Sequence, residues 1–476
     1  MDSLDDYLIA RIVAYLPSPL NAPLRAVSAR FRAIITPPKK RSRGSILRRG
    51  VKYGCAALCK LALPASNEDY DDMLVDAARG GNRALCELAH EWGATDYNWM
   101  LMGAAKGGYN DLCVLAHTWK STDERGCNGM LEGATDGGHH DLCFLAHEWG
   151  ATDFDTMIEC AAHRDDRDLC DIALEWGATD YDAMLRGAAM GGHRDLCILA
   201  RELGATDYDE MLRGAAHGGY RDLCILAREW GATRYDIMLV EAARGGHREL
   251  CGLAREWGAT DYNAMIINAA CYGHIDLCIL AHSWGATCYN RVLREASQRG
   301  NTAICILAYD WGATGFNLML AEAAESGHRA LCELAHKWGA THFDRMLASA
   351  AMGGHRALCE LARKWGATNF NRMLTVATRY ERSAMCILAR DWGATNFNRM
   401  LITATKENAP AFCKLARAWG ATNFNDMLIA ATERRRLNLC ELAHTWGATD
   451  FNGMLETAEH MGNRALCIIA RAWDAQ

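Results

Sequence analysis

The sequence lacks several features that would assign its 476 residues to a familiar class. It has no apolar run of about 18 residues, so no membrane-spanning helix is predicted. Its first residues, "MDSLDDYLIARIVAYLPS", are acidic where a secretory signal peptide is basic. No phosphate-binding loop, catalytic triad or CxxC motif is present, so we expect no enzyme activity, cofactor or metal. These absences predict an intracellular, cytoplasmic protein.

Cysteine, by contrast, is abundant, and sixteen of the 21 cysteines fall on one ladder. Consecutive ladder cysteines are 27 residues apart, except for one step of 30 residues between Cys113 and Cys143. Self-similarity at a fixed period is the signature of a repeat protein.

One copy of the repeat reads "YDAMLRGAAMGGHRDLCILARELGATD", residues 181–207, and we number its residues as positions 1 to 27. Apolar residues at positions 4, 5, 8 and 9 predict a short first helix, and those at 16, 17, 19 and 20 predict a second. Position 2 is Asp or Asn in every copy from Asp71 to Asn452, which predicts an N-cap of the first helix. Glycines at positions 11 and 12 predict its end. Such short helices are marginal alone, so stacked neighbours must stabilise one another.

The repeats predict an all-α fold, an α-solenoid of stacked helix-turn-helix units over residues 46–476. About sixteen copies fit, the first of them degenerate. The three extra residues of the longer step fall within 119–131, and we expect them in a loop that faces outward.

The unit resembles an ankyrin repeat in "AAMGGHRDLCILARELGAT", residues 188–206. The ankyrin repeat has about 33 residues and a Thr-Pro-Leu-His start, whereas this period is shorter and "DAML" stands in that place. The resemblance implies helix pairs with shortened or absent β-hairpins. Short cysteine- and tryptophan-rich arrays of this kind are similar to those encoded by large DNA viruses, which would place the protein in the host cell cytoplasm.

Residues 1–36 differ from the array and resemble an F-box, with "YLP" at 15–17 and "VSARFR" at 27–32. Asp5 stands where the family usually has proline. The resemblance implies docking onto the Skp-type adaptor of a cullin ubiquitin ligase; the alternative is that these helices only cap the array. A basic linker, 37–45, follows. The residues implied in adaptor binding are Leu4, Leu8, Ile12, Leu16, Pro17, Leu24, Val27 and Phe31.

Histidine at position 13 and cysteine at position 17 have the spacing of metal ligands or of a thiol and its base. Other copies replace the histidine with Tyr109, Asp166 or Ala409, which a site of fixed geometry would not tolerate. We therefore interpret the cysteines as core residues. Fourteen of the 15 tryptophans end a second helix at position 23 and are interpreted as packing, with a ligand-stacking ladder as the alternative.

Charge is distributed unevenly along the chain. Residues 1–54 carry 11 Lys or Arg and 3 Asp or Glu, residues 55–365 carry 27 and 45, and residues 366–476 carry 13 and 10. The long acidic stretch argues against nucleic acid as the main partner. The cluster "KKRSR", Lys39–Arg43, resembles a nuclear-localisation signal, although such runs are more often solvated linkers.

Position 3, just before the methionine at position 4, varies freely between repeats, so it does not serve packing. Because helix pairs stack about 10 Å apart, its side chains form a row. A solvated edge is the alternative to a binding face. The residues predicted to contact a target protein are Trp99, Arg291, Arg345, Arg372 and Arg399.

These patterns predict an adaptor in which the solenoid holds a target protein while the F-box-like segment recruits a ubiquitin ligase. The alternative is a scaffold or structural binder whose N-terminal helices only cap the array.

Overall fold

The structure is a computed structural model that describes residues 50–52, 54–56, 59, 67–119 and 123–474. Thirty α-helices follow one another through residues 67–119 and 123–474, and no strand occurs in the described ranges. The first helices of the repeats are α1 (Asn67–Arg79), α3 (Tyr97–Lys106), α5 (Glu124–Gly137), α7 (Phe154–His163), α9 (Tyr181–Gly191), α11 (Tyr208–Gly218), α13 (Tyr235–Gly245), α15 (Tyr262–Tyr272), α17 (Tyr289–Arg299), α19 (Phe316–Ser326), α21 (Phe343–Met352), α23 (Phe370–Arg379), α25 (Phe397–Lys406), α27 (Phe424–Glu433) and α29 (Phe451–His460).

Each first helix is followed by the second helix of its repeat, so the predicted helix-turn-helix unit is confirmed in fifteen copies. The second helices are α2 (Arg83–Glu91), α4 (Asn110–Trp119), α6 (His140–Glu148), α8 (Arg167–Trp176), α10 (Arg194–Leu203), α12 (Arg221–Trp230), α14 (Arg248–Glu256), α16 (Ile275–Ser283), α18 (Thr302–Asp310), α20 (Arg329–Lys337), α22 (Arg356–Lys364), α24 (Ser383–Asp391), α26 (Pro410–Ala418), α28 (Leu437–Thr445) and α30 (Arg464–Asp474).

Two compact units divide the chain, an N-terminal unit (Met1–Asp261) and a C-terminal unit (Tyr262–Gln476). Within each, a first helix packs on the second helix of its own repeat and on the first helices of its neighbours. The chain is thus a tandem array of helical repeats, and its ankyrin-like character remains a prediction.

The core of a repeat consists of the apolar positions that the sequence predicts. In the copy at 181–207, Met184, Leu185 and Ala188 are fully buried on α9, and Cys197 and Ala200 are fully buried on α10. The small alanines and the thiol let helices approach closely, while methionine and leucine fill the space between repeats. Stability therefore comes from contacts between neighbouring helices.

Position 12 ends the first helix in a left-handed conformation in every described copy. Gly192 has φ 88° there, as glycine readily does. In four copies a residue with a side chain takes the same conformation, with φ between 52° and 62°. These residues are Asp165, Glu381, Asn408 and Arg435.

The expectation of an outward-facing loop within 119–131 is wrong for its described part. Helix α5 begins at Glu124 and has 14 residues, so it starts about one turn earlier than the other first helices. Asp123 supplies the N-cap by accepting a hydrogen bond from the Gly126 N–H at 3.0 Å, and Gly126 and Cys127 are buried. The longer step therefore lengthens a helix.

Candidate partner-binding surface

The carboxylate or amide at position 2 connects the two ends of a repeat. Asp182 accepts hydrogen bonds through one oxygen, Oδ1, from the backbone N–H of Thr206 at 2.6 Å and of Asp207 at 2.8 Å. The same pair of bonds occurs in thirteen described repeats, and the accepting residues are Asp71, Asn128, Asp155, Asp182, Asp209, Asp236, Asn263, Asn290, Asn317, Asp344, Asn371, Asn398 and Asn425.

The prediction that position 2 caps the first helix is therefore wrong. Helix α9 already begins at Tyr181, and its N-cap is Asp180, whose side chain accepts a hydrogen bond from the Ala183 N–H at 2.9 Å. At α3 and from α7 onward, position 27 of one repeat is thus the N-cap residue of the next first helix, and its side chain accepts the capping hydrogen bond in at least seven described copies. Position 2 instead fixes the turn that leads out of its own repeat.

Position 3 directly follows position 2, and in every described repeat except that of Ala183, which is buried, its side chain is exposed or half-buried. We call the surface formed by positions 27, 2 and 3 at the start of each first helix the rim. Trp99 is 54% exposed there, and all four predicted arginines are exposed. The exposure is consistent with a position that varies because it packs against nothing in its own repeat.

The structure brings three of the predicted residues together. Arg345, Arg372 and Arg399 lie at the starts of α21, α23 and α25, which are neighbouring first helices of the C-terminal unit. We call these three residues the arginine row; within the described residues none of them forms an ion pair. Arg291 is separated from the row by Leu318, and Trp99 belongs to the N-terminal unit.

The charge of the rim differs between the two units. In the N-terminal unit, aspartate predominates at positions 27 and 2. In the C-terminal unit, asparagine replaces most of these aspartates, which keeps the hydrogen-bonding oxygen and removes the negative charge. Asparagines of this part of the rim are Asn369, Asn371, Asn396, Asn398, Asn423 and Asn425.

The sequence patterns did not predict a network of charged residues in the N-terminal unit. On α7 and α9, Arg186 contacts Glu159 through two bonds of 2.8 and 2.5 Å. On α11 and α13, Glu241 lies 3.5 Å from Arg213 and 3.3 Å from His217 Nδ1. The hydrogen bond to Glu159 raises the pKa of Arg186 above its ordinary value.

These residues line a cavity of about 310 Å³, but their charges largely pair with one another. The network therefore joins neighbouring first helices and leaves little charge for a ligand. The signal in the sequence was the run of charged residues at position 6 of four successive repeats, Glu132, Glu159, Arg186 and Arg213.

The ladder cysteines have the character of core residues. Burial raises the pKa of the Cys197 thiol to about 12, and the pKa of the Cys224 thiol likewise to about 12. A thiol of this kind stays protonated and is a poor nucleophile or metal ligand at neutral pH. In the described part of the chain, no group of three or more His, Cys, Asp or Glu residues is arranged to hold a metal ion.

Histidine at position 13 has a structural partner. Its Nε2–H donates a hydrogen bond to the carbonyl that ends the first helix of the preceding repeat, as from His193 to His163 at 3.0 Å and from His355 to Glu325 at 2.9 Å. Arg382 donates through Nε to Met352 in the same way, at 3.0 Å. Different side chains thus satisfy the same carbonyl, which explains why the histidine varies.

The tryptophans at position 23 pack within the array. Trp119 stacks on His90 with ring centroids 4.2 Å apart, and Trp230 lies under the guanidinium of Arg201 at 4.6 Å. The aromatic residue at position 1 of the same repeat meets the tryptophan at an angle, as Tyr208 meets Trp230 at 5.6 Å. Protein thus covers one face of each of these tryptophan rings and packs a second aromatic ring beside it.

Some predicted residues lie outside the described part of the chain. These are the F-box-like residues between Leu4 and Phe31, the linker 37–45 and the Lys39–Arg43 cluster. Among the helices that are described, none is long and apolar enough to cross a membrane.

The class that the fold and the rim define is that of tandem helical-repeat proteins. No protein-family model and no curated protein sequence matches the chain. Solved structures similar to it include the pentatricopeptide repeat protein PPR10 in complex with an 18-nt psaJ RNA element, at 12% identity over 96% of this chain and 91% of that chain, with a TM-score of 0.28.

The same repeat protein from maize has a TM-score of 0.22 at 12% identity, covering 100% of this chain and 99% of that chain. A circular tandem repeat protein has a TM-score of 0.12 at 14% identity, covering 98% and 96%. This likeness extends to the tandem helical architecture and assigns no ligand to this chain.

The argument against nucleic acid as a partner is wrong. Structures similar to this chain include a helical-repeat protein bound to RNA, so the acidic balance of residues 55–365 does not dismiss that class of partner. An array can carry opposite charges on different faces, and a net charge summed over a stretch of sequence does not show how they are distributed. Nothing in the comparisons supports the Skp-type adaptor.

Proposed function

We propose that the chain is a non-enzymatic scaffold that binds an elongated protein partner along the rim. The observation that carries the proposal is the arginine row: three exposed guanidinium groups on neighbouring helices without ion pairs in the described residues. Most other charged side chains on the first helices already have partners, such as Arg186 with Glu159. Recruitment of a ubiquitin ligase by residues 1–36 is not part of the proposal, since that segment lies outside the described residues.

The proposal also rests on the way the rim is built. Positions 27 and 2 are fixed by hydrogen bonds in almost every described repeat, so position 3 is held in a regular place while its identity changes. Binding energy at interfaces is concentrated in a few exposed aromatic and arginine side chains on a rigid support. A regular row of variable residues on fixed neighbours meets this requirement.

Photo-crosslinking in cells that produce the full chain tests the proposal. A benzophenone amino acid is placed at Leu318 or Arg399 on the rim, with Lys337 and Lys414 on the second helices as matched exposed controls. We expect the rim positions to yield discrete adducts that protease removes and RNase leaves intact, at several times the yield of the controls. RNase-sensitive adducts, or equal yields from rim and controls, would contradict the proposal.

A further inference from the structure

We infer that the arginine row binds an acidic segment in the polyproline II conformation, with one carboxylate for each repeat at every third residue. The inference rests on the proposed function of the rim and names the chemistry of the partner. The row begins after Leu318 and ends before Asp426, which occupy position 3 in the flanking repeats. It therefore offers three cations and then a negative charge.

The asparagines beside the row supply a second kind of contact. Asn371 accepts two backbone N–H groups through Oδ1, at 2.8 and 2.9 Å, and Asn398 does the same at 2.8 and 3.1 Å. Asn369 and Asn396 use their oxygens to cap α23 and α25. Because the oxygens are occupied, these amides present their NH2 groups outward, and the described residues give them no acceptor.

An incoming chain must therefore provide two sets of acceptors. The guanidinium groups pair with carboxylates, while the amide NH2 groups require neutral oxygens between them. The backbone carbonyls of an α-helix are used within the helix. The backbone of a polyproline II segment has no internal hydrogen bonds and leaves every carbonyl free to accept.

Spacing gives the same answer independently. Packed helices lie roughly 8–10 Å apart, so equivalent arginines of neighbouring repeats recur at about that interval. A polyproline II helix rises about 3.1 Å per residue with three residues per turn, so every third side chain returns to one face after about 9.3 Å. In a β-strand, side chains three residues apart point to opposite faces. A polyproline II segment therefore matches one residue in three to one repeat, which a β-strand does not; an α-helix returns to one face only at every seventh residue, after about 10.5 Å, and its carbonyls are already used.

Polypeptide fits this part of the rim better than single-stranded RNA does. RNA bases stack on aromatic side chains, with arginine guanidinium planes as a further stacking surface. The rim positions from His342 to Arg399 hold no Phe, Tyr or Trp, and Phe370 is already packed on Trp392 with ring centroids 5.6 Å apart. RNA is retained as an outcome of the experiment.

The experiment measures binding of two fluorescent peptides to the full chain by anisotropy at low and high salt. One peptide contains four Asp-Pro-Pro triplets, with a carboxylate at every third residue in a polyproline II backbone. The other has the same composition with its aspartates in adjacent pairs. We expect the triplet peptide to bind about tenfold more tightly or better, with an affinity that falls as salt rises.

Two variants locate the site. Reversal of the row, with R345E, R372E and R399E together, should weaken the triplet peptide at least about tenfold, because attraction becomes repulsion. The matched control reverses three exposed lysines of the second helices and should leave affinity within about twofold. That control carries K337E, K364E and K414E, and so has the same change in net charge.

The outcomes separate this inference from the proposed function. Equal binding of both peptides, or an equal loss of affinity in both variants, overturns the register of one carboxylate per repeat. Rim-specific protein adducts in the crosslinking experiment would still support the scaffold function. If a 12-nucleotide oligouridylate displaces the triplet peptide and loses affinity with the row, the row is an RNA site and the inference is overturned. Circular dichroism of both variants confirms that the helices are retained.

Discussion

The residue at position 2 shows how a single oxygen closes a repeat. In the copy at 181–207, Asp182 Oδ1 accepts two backbone N–H groups from the turn that leads to the next repeat. Asn371 makes the same two bonds, so the negative charge is not required. This explains why only Asp and Asn occur there: Glu and Gln would place the oxygen one bond further out.

Replacement of Asp182 with alanine should loosen this turn. Two N–H groups lose their acceptor, and we expect a cost of about 1–3 kcal/mol, reduced by access of water to the turn. Hydrogen exchange measures the effect directly, as faster exchange of the Thr206 and Asp207 amides. Asp182→Asn is the matched control and should exchange at nearly the wild-type rate. Similar acceleration in both variants would show that charge, not the oxygen, holds the turn.

At this scale the sequence predicted the acceptor and not its donors. A residue of this type at the start of a helix usually caps that helix, and the periodicity gave no reason to assign it elsewhere. The actual donors lie 24 and 25 residues further along the chain, beyond the reach of a local pattern. The exposure of position 3 in the copies with Trp or Arg could be predicted, because variation beside invariant neighbours marks a side chain with few packing contacts; Ala183 is the buried exception.

Between elements, a column of flat side chains joins successive second helices. Position 21 of one repeat is His, Arg or Tyr in nearly every copy and lies over the tryptophan at position 23 of the next, as His147 lies over Trp176 at 4.2 Å. The exception is Leu174, and the residue 29 positions later is Leu203, the single described repeat without that tryptophan. The two positions change together, which indicates that they act as a pair.

Introducing both Leu174→Arg and Leu203→Trp should stabilise the fold by more than the sum of the two single substitutions. Arginine at position 174 has no ring to cover without the second change, and tryptophan at position 203 has no flat partner without the first. We expect a coupling energy of about 0.5–1 kcal/mol between Leu174→Arg and Leu203→Trp, as for an exposed cation–π contact. Urea denaturation of the wild type, both single variants and the double variant completes the cycle.

A second cycle in an intact repeat provides the control. Arg201→Ala and Trp230→Leu remove an existing pair, in which the guanidinium lies 4.6 Å from the ring. Their coupling energy should have the same size and sign as the engineered one. If both cycles are additive, the column contributes only buried area and the paired change at Leu174 and Leu203 needs another explanation.

The elements themselves were largely predictable. Apolar periodicity located both helices of each repeat, since most inward positions are filled by Met, Leu, Ala or Cys. The earlier start of α5 could not be predicted, because Asp123 caps the helix only in the context of the residues that follow it. The pairing of Glu159 with Arg186 across two helices also escaped, because a pattern read within one repeat does not show which side chains of neighbouring repeats meet.

For the whole array, the row of buried thiols makes stability depend on alkaline pH. Burial raises the pKa of most ladder cysteines, to about 12 for Cys197, Cys224 and Cys278, whereas a thiol in an unfolded chain ionises near pH 8.5. Above about pH 9 the unfolded chain therefore releases protons that the folded chain keeps. Stability that is fully present below pH 8.5 must fall as pH rises toward 12.

Removal of thiols should flatten this dependence. We expect the urea midpoint of the wild type to fall steeply between pH 9 and 11, and that of a Cys197→Ala, Cys224→Ala variant to fall less. Each thiol removed lessens the slope by up to about 1.4 kcal/mol per pH unit in that range. Ala200→Gly is the control, since it weakens α10 and changes no thiol. If the control flattens the profile as much as the cysteine variant, alkaline unfolding has another cause; if only the cysteine variant does, the ladder that defines the repeat also sets its upper pH limit.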